Sequence, residues 1–69
     1  MADYYRDVVR LLRDAGYEFK RQGRGDHEIW WHPRIGVRVT VDRKLKSRFT
    51  ANGILKEAGL EGILRSATK

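Results

Sequence analysis

The sequence predicts an α+β fold of two layers, α-β-β-β-α, with both helices on one face of a three-stranded antiparallel sheet. Three observations carry this reading. Apolar residues recur at helical spacing near each end, Val37, Val39 and Val41 alternate with polar neighbours, and glycine-containing turns punctuate the middle. A chain of 69 residues is a single domain, 1–69, too short for any large sheet covered on both sides. With 41% hydrophobic residues it has a core, but a small one. A domain of this size buries only about 60% of its unfolded surface.

The elements follow in order. Asp3 caps a first helix running to about Ala15, with Tyr5, Val8, Leu12 and Ala15 on one face and Val9 and Leu11 widening it. Arg6, Arg10 and Arg13 share another face, and Gly16 ends the helix. Tyr17 to Gln22 reads as the first strand and His27 to His32 as the second, joined through Gly23, Arg24, Gly25 and Asp26. The third strand, Val37 to Val41, follows a hairpin loop over Pro33 to Gly36. A basic connector from Asp42 to Arg48 leads to a second helix, capped by Thr50 and ended by Gly59. One short turn around Ile63 and Leu64 follows, in a tail that frays from about residue 61. Leu11 to Gly16 and Ile54 to Gly59 look alike, as two amphipathic helices closing on the same kind of cap do. The expected core is Tyr5, Val8, Leu12, Phe19, Ile29, Val39, Val41, Ile54 and Leu55.

Composition narrows the function. Fifteen Lys and Arg against nine Asp and Glu give a net charge of +6, which asks for an anionic partner, nucleic acid or an acidic protein. The absence of cysteine excludes disulfides, thiolate zinc sites and thiol nucleophiles. No apolar run approaches the roughly 20 residues of a membrane helix, and Met1-Ala2-Asp3 begins no signal pattern, so a cytoplasmic setting with no membrane partner is expected.

His27 is the candidate for proton transfer. It follows a turn with two glycines, where a substrate backbone can approach Gly25 closely, and Lys20, Arg21 and Arg24 surround it. An imidazole among cations suits RNA cleavage. It can take the proton of a 2′-hydroxyl or protonate the 5′-oxygen leaving group while cations stabilise charge on phosphorus. Lys44 and Lys46 on the connector extend the phosphate-binding set. The plainer alternative is a surface histidine at a strand end. His32, before Pro33, reads as ordinary surface. Asp26 orients His27 only if the pair adopts a turn, because neighbours in a strand face opposite ways. For the same reason His27 and His32, five apart, make no metal site, and no cofactor is expected. If Trp31 and Ile29 face the helices, Trp30 lies on the open sheet face with Arg38 and Thr40, a patch that can stack bases or, the use favoured here, anchor a protein partner. The opposite register puts Trp30 in the core and Trp31 outside.

The ordered set Leu11-Leu12 to Ala15-Gly16-Tyr17, Arg21-Gln22-Gly23, Gly25-Asp26-His27-Glu28-Ile29-Trp30, Val39-Thr40-Val41, Lys46-Ser47-Arg48, Thr50-Ala51-Asn52 and Ile54 to Leu60 resembles the HicA (YcfA-like) toxin family. The resemblance runs from Asp3 to Leu60. It implies a double-stranded-RNA-binding-like fold and a metal-independent mRNA interferase, neutralised by a HicB-type antitoxin. The family's Gly-Ser-His motif falls on Gly25-Asp26-His27, which carries the catalytic role to His27. Asp26 departs from the family's serine. The further histidine of many members is also missing, from a segment reading Asp42-Arg43-Lys44 and later Phe49. A catalytically silent RNA-binding module of this fold, and a basic adaptor for an acidic protein centred on Trp30, are the competing functions.

Overall fold

The computed structural model describes residues 4–60; the Asp3 cap and the turn around Ile63 and Leu64 lie outside them. Helix α1 spans Tyr5–Asp14, strands β1, β2 and β3 span Glu18–Gln22, His27–Trp31 and Arg38–Asp42, and helix α2 spans Arg48–Glu57. The sheet is antiparallel in the order β1-β2-β3. This is the α-β-β-β-α architecture expected from the sequence.

Both helices end alike. Tyr17 N–H bonds Leu12 C=O and Leu60 N–H bonds Leu55 C=O, each across a glycine in left-handed backbone, Gly16 at φ +98° and Gly59 at φ +80°. These are Schellman closures, which explains the matching sequence endings. At Gly16 a second constraint applies. A Cβ there would lie 2.6 Å from His32 Nε2, so the helix end and the β2–β3 hairpin approach through the space that glycine leaves empty. Tyr17 then ties the layers together, its hydroxyl donating to Ala58 C=O at 3.0 Å. The start of α2 differs from expectation. Ser47, not Thr50, is the cap: its Oγ accepts from Thr50 N–H at 3.3 Å, with backbone in the extended region that a cap requires.

The core joins Val8, Val9 and Leu12 of α1, Trp30, Val39 and Val41 of the sheet, and Ala51, Ile54 and Leu55 of α2, closed by Tyr17, Leu45 and Ala58. Val8, Leu12, Val39, Val41, Ile54 and Leu55 are buried as expected, while Tyr5 is half-buried. Two expectations fail. Phe19 is half exposed at the sheet margin, where its ring meets Trp30 edge-on at 5.9 Å. Ile29 lies on the other face, because β2 has the opposite parity from that assumed.

That parity buries Trp30, and Glu28 with it. Register pairs Glu28 with Val41 and Trp30 with Val39, so the acid and Trp30 both point at the helices. Trp30 is 2% exposed, in the core, and therefore not the surface anchor expected from the sequence. Glu28 is 7% exposed, and its Oε1 accepts from the Tyr5 hydroxyl at 2.8 Å and from Trp30 Nε1–H at 3.0 Å. Burial first, and then the Glu28 carboxylate, raise the Tyr5 hydroxyl above its usual pKa, so it stays a donor. Truncating Glu28 to Ala should cost about 2–3 kcal/mol, since it strands buried donors of charge-assisted bonds. Glu28→Gln keeps an acceptor oxygen and should lose less than half of that. Urea unfolding of the two variants checks this; equal losses would mean that the acceptor is not what matters.

Candidate nucleic-acid interface

With Glu28 and Trp30 turned inward, His27, Ile29 and Trp31 of β2 occupy the sheet face away from the helices. Register adds their neighbours: Glu18 and Arg38 flank Trp31, Arg21 and Thr40 flank Ile29, and Asp42 stands opposite His27. A β-bulge between Phe19 and Arg21 sets Lys20 and Arg21 together opposite Ile29. Regular pairing would have sent one of two consecutive cations to the helix side. The bulge keeps both on the open face, with Lys20 Nζ 3.9 Å from the centre of the Trp31 ring.

His27 is exposed as the first residue of β2, and its imidazole makes no hydrogen bond or ion pair with the described residues. Its backbone is fixed instead. Gly23 N–H and the Gln22 side-chain amide donate to His27 C=O at 2.8 and 3.1 Å, and His27 N–H donates to Arg24 C=O at 3.0 Å. The same Gln22 amide reaches Gly25 C=O at 3.0 Å, so one side chain braces the whole β1–β2 turn. Arg24 and Gly25 are exposed at its tip, and nothing lies within 4 Å of where a Gly25 Cβ would stand. Gln22 stands in the sequence only as part of Arg21-Gln22-Gly23; its bracing role shows once the turn is closed.

Asp26 does not orient His27. Its carboxylate turns to the connector after β3, with Oδ2 3.3 Å from Lys44 Nζ and Oδ1 3.6 Å from Arg43 Nη2. Arg43 N–H also donates to Asp26 C=O at 3.0 Å, and Asp42 Oδ1 accepts from Lys44 N–H at 2.8 Å. The turn and the connector are thus one unit at the His27 end of the sheet. Arg24, Gly25 and Lys44 gather there, with Arg21 on the adjoining strand. Lys20 and Arg38 belong to the Trp31 end, about 13 Å along β2 at roughly 3.3 Å per residue. Lys46 is exposed on the connector beyond this cluster.

The remaining candidates are elsewhere. His32 is no ordinary surface residue: it packs edge-on against Tyr17 at 5.2 Å, and its Nδ1 accepts from Arg34 N–H at 3.2 Å. Arg6, Arg10 and Arg13 are exposed on α1, where Arg10 pairs with Asp7 at 3.8 Å and Arg13 lies 5.4 Å from the Trp30 ring centre. Phe49 is 89% exposed on the first turn of α2. No group of three or more His, Asp or Glu side chains among the described residues is placed to hold a metal ion. Nor is any helix among them long and apolar enough to cross a membrane.

The Lys44 ammonium, first by its hydrogen bond and then by its charge, holds the Asp26 carboxyl below its usual pKa, with Arg43 adding to the effect. The sign follows. A carboxyl depressed in the folded state contributes stability above its unfolded pKa and loses it as pH falls through the depressed value. In an NMR titration Asp26 should therefore protonate at lower pH than an ordinary exposed carboxyl, and Lys44→Ala should move its midpoint upward. An unmoved midpoint would mean that the ion pair does not persist in solution.

No curated protein and no solved structure matches the chain. The family model described as the HicA toxin of bacterial toxin–antitoxin systems matches residues 5–60, from the first residue of α1 through the cap of α2. Every element of the fold, and His27 with its basic surroundings, lies inside that span. The chain belongs to the HicA toxin family.

Proposed function

We propose that this toxin is a metal-independent endoribonuclease acting on mRNA, with His27 as its proton-transfer group and an antitoxin of the HicB type as its inhibitor. The observation that carries the reading is the site itself: an exposed imidazole, without a partner among the described residues, on a braced turn, with arginine and lysine side chains on its own sheet face and on both adjoining loops. In the reaction the 2′-oxygen attacks the adjacent phosphorus. The new O2′–P bond replaces the P–O5′ bond, leaving a cyclic phosphate and a free 5′-hydroxyl. His27 either accepts the proton of the 2′-hydroxyl or donates one to the departing 5′-oxygen.

Arg21, Arg24 and Lys44, with the open backbone at Gly25, are the proposed phosphate contacts nearest His27, and Lys20 and Lys46 extend the track. Few of these groups read base edges, so affinity should be weakly sequence-selective and fall steeply with salt. The antitoxin is proposed to cover the same face with an acidic surface. Arg38 and Trp31 at the far end are its anchor, Trp31 taking the role first assigned to Trp30.

His27→Ala should fold normally and bind RNA, yet cleave about 10² to 10⁴ times more slowly, the usual contribution of one general acid–base group. Cleavage by the wild type should persist in EDTA. The measurements are initial cleavage rates on a defined RNA, with dichroism as the folding control. An unchanged rate in the variant removes His27 from the mechanism, and a wild type that binds RNA without cutting it leaves the binding-only function.

A further inference from the structure

The Asp26 carboxylate sits as a ligand would. One oxygen faces the Arg43 guanidinium at 3.6 Å and the other faces the Lys44 ammonium at 3.3 Å. Two oxygens sharing one negative charge, each addressed by its own cation, is also how the non-bridging oxygens of a phosphodiester are held. The backbones that carry the two cations are fixed independently of any ligand. Arg43 is pinned through its backbone to Asp26 C=O, and the Lys44 backbone is fixed by the Asp42 carboxylate. The place is right as well. Asp26 directly precedes His27, and Asp42, next to Arg43, is the residue opposite His27 across the sheet.

The seal is also weak. The side chains of Arg43, Lys44 and Asp26 are 52%, 76% and 41% exposed, and ion pairs in such surroundings hold little against competing anions. We propose that Arg43 and Lys44 form a phosphodiester subsite beside His27, and that Asp26 occupies it as an internal competitor which RNA must displace. The inference rests on the nuclease reading for the meaning of the site, but not for its test. A negative charge one residue from the catalytic imidazole then has a physical consequence: the basic surface binds RNA less tightly than its charge allows, and the toxin is attenuated from within.

The test is RNA binding by the full chain in a His27→Ala background, where cleavage does not interfere. Anisotropy of a labelled 12-nucleotide RNA is followed from about 0.1 to 1 M salt. Each phosphate newly engaged steepens the slope of log affinity against log salt by about 0.7 on a single strand. Freeing room for one or two phosphates should therefore steepen it by about 0.7–1.4 when Asp26→Asn is added, a gain of about 5- to 25-fold at 0.1 M relative to 1 M. Asp26→Ser should do the same. Glu57→Gln, which removes an equal charge from an exposed position on α2, should change affinity by less than about 2-fold. With Arg43→Ala and Lys44→Ala in place, Asp26→Asn should bring no gain. A gain no larger than that of Glu57→Gln overturns the proposal, and so does a gain that survives loss of both cations. If the wild type cuts no RNA while these binding differences hold, the nuclease reading fails and the subsite stands.

Discussion

The fold turns on one buried oxygen. Glu28 Oε1 accepts from Tyr5 on α1 and from Trp30 on its own strand, and this pair of bonds lets a carboxylate lie between sheet and helices. An unpaired charge in that place would be prohibitive. Because side chains alternate along a strand, settling Glu28 and Trp30 inward settles their neighbours outward. His27, Ile29 and Trp31 reach the open face as a consequence, and the candidate site exists only in that parity. A one-residue slip of β2 would bury the imidazole and expose the indole that completes the core.

Much of this was legible in the sequence, and the parts that were not have particular causes. The helices, their glycine ends and the inward valines of β3 follow from local pattern, because each depends on a few adjacent residues. The parity of β2 does not. A carboxylate in a strand argues locally for an outward Glu28, and the inward choice depends on Trp30 and on Tyr5, twenty-three positions away. Those missing contacts displaced Trp30 and Ile29 together in the sequence reading. The cap of α2 was mistaken for a simpler reason: Ser47 and Thr50 are both good cap residues, and the connector's length decides between them only once Leu45 is buried.

At the site, residue types were legible and their grouping was not. His27 and its surrounding cations were identified from composition, turn chemistry and the family's motif. The bulge in β1, which no local signal announces, keeps Lys20 and Arg21 on one face, while the register of β3 sets Arg38 beside Trp31. The attachment of Asp26 to Arg43 and Lys44 came from the closure of two loops that are 17 or more positions apart along the chain. Binding surfaces on small domains are assembled in this way, with short strands supplying the platform and turns supplying the charge.

Whether RNA meets the open sheet face at His27 is decided by an NMR titration of the full chain with an RNA that carries a 2′-deoxy substitution at the cleavage position and so binds without reacting. The largest shifts should fall on Arg21, Arg24, Gly25, His27 and Lys44, with smaller ones along Ile29 and Thr40. Shifts confined to Arg6, Arg10 and Arg13 on α1, with His27 undisturbed, would contradict that placement.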